Sequence, residues 1–157
     1  MGMADLITAL KGAGWAERLR CDAPMAPHTS YCIGGPADLL LEAVTVDEII
    51  DAGKHVVACG AEVVIISHDV TGDIAITRDA VWEIHAEVST SRFKNLVGAD
   101  DVFLGGILYK LAQESPLEEA LRFGLAAGLA SAESEEKICR NLAVIEDGMQ
   151  NVTVTSL

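Results

Sequence analysis

The apolar run from Val102 to Ala112 restricts the fold of this chain more than any other stretch. Apolar residues lie on nearly every side of the helix that the run predicts, so we expect that helix to be buried. The run follows directly on the turn Asn95–Asp101, which passes through a glycine into the helix. The first amides of a helix have no partner inside it, and its dipole attracts negative charge. The turn is therefore a candidate anion site.

Two adjacent carboxylates, Asp100 and Asp101, stand at the mouth of this turn. An aspartate in such a place can take a proton from an attacking hydroxyl, which makes Asp101 a candidate general base. The alternative is structural: Asp101 would be the N-cap of the buried helix, and of the two readings we favour the cap. The carboxylate of Asp100 would occupy the space that an anion needs, so we expect it to weaken the site.

The composition and the order of local signals favour an α/β fold. The chain has 157 residues, of which 50% are hydrophobic and only 4% aromatic. The core must therefore consist mainly of Val, Ile, Leu and Ala. A strand, helix, strand and hairpin follow one another along the chain, which predicts a single compact layered domain with a mixed β-sheet and packed helices. An N-terminal helical and extended segment precedes it.

The net charge of −13 argues against direct binding to nucleic acid or to an anionic membrane. It is compatible with a small acidic protein that binds a basic protein partner. The four cysteines are scattered, and neither a signal peptide nor an apolar run of about 20 residues is visible. We therefore expect a cytoplasmic protein. The four histidines show no ligand spacing, so we expect no metal site.

Local signals predict the positions of the helices and strands. Thr45 and Glu48 have the spacing of a capping box, which predicts a helix from Val46 to Ala58. The same spacing in Ser115–Glu118, with a proline in the first turn, predicts the start of another helix. The first predicted element is a helical segment Ala4–Leu19, interrupted at Gly12 and Gly14. The others are an extended or looped stretch Cys21–Pro36, strands at Ala37–Ala43, Glu62–Ser67, Ile74–Thr77, Val81–His85 and Val152–Thr155, and a helix Val144–Met149.

Five blocks of sequence carry a family resemblance, in order and without obvious gaps: residues 60–67, 77–82, 95–106, 117–128 and 145–154. From about Asp51 onward the chain resembles the C-terminal half of the PfkB (ribokinase-like) carbohydrate kinases. It is most similar to the branch that phosphorylates sugar phosphates, such as fructose-1-phosphate kinase. The resemblance implies a ribokinase-like α/β fold and, for a working site, ATP with Mg²⁺ and a sugar phosphate as ligands.

In that family the loop before the helix reads N-T-V-G-A-G-D. Its backbone amides form the anion hole for the transferring phosphoryl group, and its aspartate is the general base. By resemblance, Gly98 and Ala99 belong to the anion hole and Asp101 matches the base. Asp100 replaces the second glycine. A carboxylate at that position repels the charge that the hole must stabilise.

The nucleotide-side loop of the family reads S-L-G-x-x-G and corresponds to residues 67–72. Ser67 and Gly72 are retained, whereas Asp69 replaces the first glycine. The family's N-terminal half, which supplies most of the sugar site and its lid, has no counterpart in the sequence. Phosphoryl transfer depends on positioning and electrostatics. The resemblance, with these departures from it, therefore implies that the fold is retained and that phosphoryl transfer is lost.

The first 43 residues carry a second resemblance. Residues 23–30 and 33–38 are similar to the N-terminus of the flavin-dependent UDP-N-acetylenolpyruvoylglucosamine reductases, where this segment precedes the FAD domain. Cys32 stands where an arginine is usual, and the rest of the flavin site has no counterpart, so we expect no FAD. We predict a reductase-like segment at 1–43 and a truncated ribokinase-like domain at 44–157. Recombination, gene decay or an artificial sequence would each produce such a chimera.

Three functions are compatible with these patterns. The main prediction is a degenerate, non-catalytic carbohydrate-kinase-like domain with at most weak binding of a nucleotide or sugar phosphate. The first alternative is a small acidic interaction protein, of the inhibitor or antitoxin type, that acts on a basic or nucleic-acid-binding partner. The second alternative is an active ATP-dependent sugar-phosphate kinase completed by homo-oligomerisation, which requires the site to tolerate Asp100.

Overall fold

A computed structural model of the protein describes residues 2–67, 72–136 and 141–157. The helices within these ranges are α1 (Met3–Leu10), α2 (Val46–Ala58), α3 (Ala99–Leu111), α4 (Leu117–Glu133) and α5 (Leu142–Gly148). The strands are β1 (Leu19–Pro24), β2 (Pro36–Leu41), β3 (Val64–Ser67), β4 (Gly72–Ile76), β5 (Val81–Ala86) and β6 (Val152–Ser156). The predicted α/β class, with mixed sheets and packed helices, is confirmed.

The strands form two sheets. β1 and β2 pair antiparallel, with Leu19 opposite Leu41. The other sheet has the order β3-β4-β5-β6, in which β5 and β6 pair antiparallel with Trp82 opposite Ser156. The predicted strands and the last predicted helix are present, with ends shifted by at most two residues.

The chain divides into two units, Met1–Val64 with Ile76–Asp79, and Ile65–Ala75 with Ala80–Leu157. The boundary after residue 43 was predicted from two sequence resemblances and stays a prediction about the origin of the two segments. The first unit has a small core built on the buried side chains of Leu10, Trp15 and Leu19.

The predicted interruption of the N-terminal helical segment is present at Gly14, whereas its predicted end at Leu19 is too late, because Leu19 already belongs to β1. α1 ends at Leu10, and a π-helical turn, Lys11–Trp15, follows it. Gly14 in this turn has a φ of 97°, which interrupts the helix as a glycine allows. β1 then takes in the first residues of the stretch that was expected to be extended or looped.

Helix α2 begins and ends at the predicted residues. The Thr45 side chain accepts a hydrogen bond from the Glu48 backbone N–H at 3.3 Å. The Glu48 carboxylate also accepts two hydrogen bonds from the Arg18 guanidinium, at 2.8 and 2.7 Å, and one from the Val44 N–H at 2.8 Å. These hydrogen bonds lower the pKa of Glu48 from its ordinary 4.5 to about 2. The bonds from Arg18 are the largest cause.

The second unit is built around α4, which packs against α3, α5, β5 and β6. Its buried face is rich in small residues, which lets α3 come close. A Cβ added to Gly124 would lie 2.5 Å from Ile107 Cγ1 and 2.8 Å from the Phe103 carbonyl oxygen. Only glycine fits at this crossing, because either contact is shorter than side chains tolerate.

The expectation that α3 is buried is wrong. Phe103 and Ile107 are buried against α4, but Leu104, Leu108 and Leu111 are 51%, 57% and 38% exposed. Within the described residues, the helix is covered along one face and left bare along the opposite one. A helix with apolar residues on every side can be buried on every side. Its sequence does not show how many neighbouring elements are present to cover it.

The predicted capping box at Ser115–Glu118 is also wrong. α4 begins at Leu117, and Pro116 is its N-cap residue, with no side-chain hydrogen bond to the first turn. Proline occupies the capping position itself and carries no side-chain acceptor.

Candidate functional site

The turn before α3 is shaped by a glycine and an asparagine. Gly98 is the N-cap residue, in the left-handed conformation with a φ of 86°. The Asn95 side-chain oxygen accepts a hydrogen bond from the Val97 N–H at 3.0 Å, and the Ala99 N–H donates to the Leu96 carbonyl at 3.1 Å. The amides of the next two residues lie in the first helical turn, where the helix supplies them with no acceptor. Their partial positive charge is what an anion would find here.

The C-terminal end of α4 holds this turn in place. The backbone N–H groups of Lys94 and Asn95 both donate to the Ala132 carbonyl, at 2.8 and 3.1 Å. Gly128 lets the start of α3 approach, because a Cβ there would lie 3.0 Å from the Ala99 carbonyl oxygen. The start of α3 is therefore fixed against the end of α4.

A cavity of about 270 Å³ opens beside the start of α3. The structure brings three predicted site residues to it, Ser67, Ala99 and Asp100, whereas Gly98, Asp101 and Gly72 are not among the residues that line it. The full lining consists of Ser67, Asp73, Leu96, Ala99, Asp100, Phe103, Leu125, Gly128, Leu129 and Ala132.

Asp101 is not the N-cap of α3, so that reading is wrong. The helix begins at Ala99, which makes Asp101 its third residue, and its side chain is exposed. The asparagine turn and the left-handed Gly98 start the helix earlier than a capping aspartate would. A carboxylate in the first turn still interacts favourably with the helix dipole.

Sequence reasoning missed Asp73. This residue lies in β4, all of whose residues are buried, is itself only 4% exposed, and lines the cavity. One signal could have revealed it: a charged residue inside a strand of buried apolar neighbours is rarely accidental, since burying a charge is costly without partners.

The cavity is acidic rather than basic. Among its lining residues, all of which the structure describes, two are acids and none is a lysine or arginine. The bases on the neighbouring loop are paired elsewhere: Lys94 Nζ lies 3.0 Å from Glu135 Oε1, and Arg92 Nη2 lies 2.9 Å from Glu133 Oε2. Among the described residues that line the cavity, only backbone amides could attract an anion.

Part of the predicted site lies outside the described residues. Asp69, predicted to acidify the nucleotide-side loop, falls within residues 68–71. Across residues 2–67, 72–136 and 141–157, no group of three or more His, Cys, Asp or Glu side chains could hold a metal ion. Across the same ranges no helix is long and apolar enough to span a membrane.

Comparison with known proteins places the chain in a family context. The chain is 40% identical to the 1-phosphofructokinase of Bacillus subtilis (strain 168) over 92 residues, which cover 59% of this chain and 30% of that protein. It is 36% identical to the 1-phosphofructokinase of Borreliella burgdorferi over 85 residues, covering 54% of this chain and 27% of that protein. The chain thus spans less than a third of the length of these relatives.

Solved structures show the same relationship. Phosphofructokinase-2 from Escherichia coli in complex with substrates and products is 26% identical to this chain, with a TM-score of 0.62. The match covers 70% of this chain and 35% of that one. Its tetrameric inhibited form is 24% identical, with a TM-score of 0.59 over 70% of this chain and 34% of that one. The model of the pfkB family carbohydrate kinases matches residues 35–140, well over half of the chain. The predicted resemblance to the PfkB kinases is thereby confirmed, and the protein belongs to the pfkB family of carbohydrate kinases.

Proposed function

We propose that this chain is a degenerate carbohydrate-kinase domain that binds a nucleotide or sugar phosphate weakly and does not itself transfer phosphoryl groups. The proposed site is the cavity beside the start of α3. The proposal rests mainly on the position of Asp100, which lines this cavity together with the buried Asp73.

Weak binding follows from two opposing features of the cavity. The first-turn amides of α3 and the helix dipole favour an anion, an effect worth about 0.3–1 kcal/mol at an exposed site. The Asp100 carboxylate opposes it, since two unit charges about 4 Å apart repel by about 1 kcal/mol even in water. No basic residue among those lining the cavity offsets that repulsion.

Loss of transfer follows from the position of Asp101. This residue is the general base only by resemblance, and its side chain is exposed and absent from the cavity lining. Transfer needs a base, a phosphoryl group and an acceptor hydroxyl aligned within hydrogen-bonding reach.

The binding test replaces the obstructing carboxylate. Asp100→Gly should strengthen the binding of Mg²⁺-ATP, ADP or fructose 1-phosphate about five- to tenfold, the equivalent of roughly 1 kcal/mol of removed repulsion. Isothermal titration at low salt gives the dissociation constants. Asp47→Gly is the matched control, because Asp47 is the second residue of α2, as Asp100 is of α3, and is equally exposed.

The control variant should leave the affinity unchanged, since no residue of α2 lines the cavity. If neither the wild type nor Asp100→Gly binds any of these ligands at millimolar concentration, the binding proposal fails. If both glycine variants gain equally, the effect comes from total charge rather than from the cavity.

The non-catalytic part of the proposal has its own readout. ADP release from ATP and fructose 1-phosphate should not exceed the background of the Asp101→Asn variant. Turnover that this substitution abolishes would instead favour an active kinase. Turnover that also rises more steeply than linearly with protein concentration would point to a site completed by a second copy.

An assembly of copies is part of that alternative and is supported by one comparison. A relative of the same fold was solved in a tetrameric form. Binding of a nucleotide or sugar phosphate would place the protein in the cytoplasm, where such metabolites are made. Sedimentation velocity across a hundredfold range of concentration tests for the assembly directly.

A further inference from the structure

β6 is the outermost strand of the sheet β3-β4-β5-β6, with β5 on one side and no described strand on the other. Backbone bonds at its two ends fix its orientation. The Glu87 N–H donates to the Asn151 carbonyl at 3.0 Å, and the Leu157 N–H donates to the Val81 carbonyl at 2.9 Å. Because alternate residues of an antiparallel strand bond to the same neighbour, the odd-numbered residues of β6 face β5. The even-numbered residues direct their N–H and C=O groups away from β5: Val152, Val154 and Ser156.

Val152 closes one end of this outer edge. It is only 2% exposed, and its carbonyl accepts a hydrogen bond from the Arg122 guanidinium at 3.0 Å. Arg122 lies on α4 and also donates to the Glu118 carboxylate, at 3.3 Å. Its bond to Val152 agrees with a carbonyl that points away from β5. The open part of the edge is therefore confined to the half-buried Val154 and the exposed Ser156.

The open part of the edge has none of the features that usually protect an edge strand. Such strands carry charged side chains, prolines or bulges that prevent further pairing. β6 reads Val-Thr-Val-Thr-Ser, without charge or proline, and its register with β5 is unbroken from Val152 to Ser156. In the first unit, by contrast, β1 and β2 both carry charged residues and place Pro24 opposite Pro36. β6 is therefore a ready template for another strand.

We propose that a second copy of this chain pairs with this edge, β6 against β6 and antiparallel, around a two-fold axis at Thr155. Val154 of each copy then faces Ser156 of the other, and each such pair exchanges backbone hydrogen bonds in both directions. The two Thr155 side chains lie opposite each other, a pairing that threonine favours. Leu157, which is 60% exposed, comes to lie opposite Thr153 of the other copy. The pairing requires neither ligand binding nor turnover at the cavity beside α3.

The Arg122 contact decides the register. A two-fold axis at Val154 would place Ser156 of one copy opposite Val152 of the other, which is buried and whose carbonyl already accepts the Arg122 bond. An axis at Thr155 uses only the groups that are open. These groups are self-complementary, because Val154 and Ser156 each offer one donor and one acceptor at equal distances from the axis.

The net charge of −13 acts weakly across this edge. β6 itself is uncharged, and Glu83, which pairs with Thr155 from the neighbouring strand, lies one strand further in. Its counterpart in the other copy would be three strand spacings away, about 14 Å. The Debye length at physiological salt is about 8 Å, so this repulsion is largely screened.

The test places charges at the proposed axis. Sedimentation velocity at about 0.15 M salt, over a hundredfold range of protein concentration, should show a monomer–dimer equilibrium for the wild type. Thr155→Lys sets like charges opposite each other and should weaken the dimer about tenfold or more, as should Thr155→Glu. An equimolar mixture of the two variants pairs opposite charges across the axis. The mixture should dimerise about tenfold more tightly than either variant alone.

Thr153→Lys is the matched control, since Thr153 is exposed on the same strand and the same face. In the proposed register the two introduced charges lie about four residues apart along the strands, roughly 14 Å, so the dimer should weaken less than about twofold. Circular dichroism of dilute Thr155→Lys should show the melting temperature of the dilute wild type, because Thr155 is exposed in the monomer.

A wild type that stays monomeric at every concentration would overturn the proposal. So would a dimer that Thr155→Lys leaves intact, or one that Thr153→Lys weakens as strongly. The mixture decides even where a charged variant loses some monomer stability, because only opposite charges at a shared axis regain the dimer. A mixture that dimerises no better than its components therefore also rejects the pairing.

Discussion

At the scale of single residues, glycines do two different things in the second unit. Gly98 is required by its backbone, since it starts α3 in the left-handed conformation with a φ of 86°. Gly124 is required by its neighbours, because the close crossing of α3 and α4 leaves no room for a Cβ. The sequence predicts the first kind from its place before a helix and indicates the second by the small residues on the inner face of α4, but only the structure shows which neighbours those residues meet.

Gly98→Ala should destabilise the protein by about 1–2 kcal/mol, the usual strain of a left-handed residue with a Cβ. Steric collision is not the reason, since the nearest atom to the added Cβ would be Asp101 Oδ2 at 3.9 Å. Urea unfolding followed by circular dichroism measures the change. Gly105→Ala, in the same helix without positive φ, should instead gain up to about 1 kcal/mol, and equal losses in both variants would refute the backbone explanation.

At the scale of elements, α2 and α3 show where local signals suffice and where they fail. α2 has the predicted bounds because its capping residue and its acidic first turn are local chemistry. α3 was expected to be buried, yet the exposure of Leu104 and Leu108 shows that only one of its faces finds a neighbour among the described residues.

The ion pair at the start of α2 should make stability depend on pH. The pKa of Glu48 in the folded protein, about 2, lies below its ordinary 4.5. Its contribution is therefore complete above about pH 4.5 and is lost as the pH falls toward 2. Glu48→Gln should lower the melting temperature at pH 7, and the gap between variant and wild type should close over that range.

Glu62→Gln serves as the matched control for this pH dependence. Glu62 is exposed and forms no salt bridge with a described residue. Its substitution should leave the melting temperature nearly unchanged at every pH. A gap between Glu48→Gln and the wild type that persists at pH 2 would mean that the glutamine harms the helix start for reasons other than lost charge.

At the scale of the whole molecule, the two units differ in the size of their cores. The core cluster of the first unit consists of three buried residues, Leu10, Trp15 and Leu19, whereas the core cluster of the second unit is several times larger. Apolar burial is the main source of stability. We therefore expect the first unit to unfold at a lower urea concentration than the second.

The two tryptophans make this difference measurable, since Trp15 lies in the first unit and Trp82 in the second. Fluorescence of Trp82→Phe reports on the first unit, and fluorescence of Trp15→Phe reports on the second. The urea midpoint should be lower in Trp82→Phe. Coincident midpoints in the two variants would show that the chain unfolds as one cooperative body instead.

Local chemistry in the sequence was sufficient for the α/β class, for most helix and strand positions and for the turn into α3. Capping residues, glycine turns and β-branched runs act on their immediate neighbours, so their effect can be read from adjacent residues. The family resemblance likewise lay in contiguous blocks such as Asn95–Asp101.

Tertiary packing decided the remaining features. It brought Asp73 from β4 to the same cavity as Asp100, two residues whose closeness no local pattern encodes. It also turned Asp101 to the surface and left one side of α3 uncovered. Each outcome depends on which distant segments of the chain pack together. The burial of a residue is set by these tertiary contacts rather than by the residue alone.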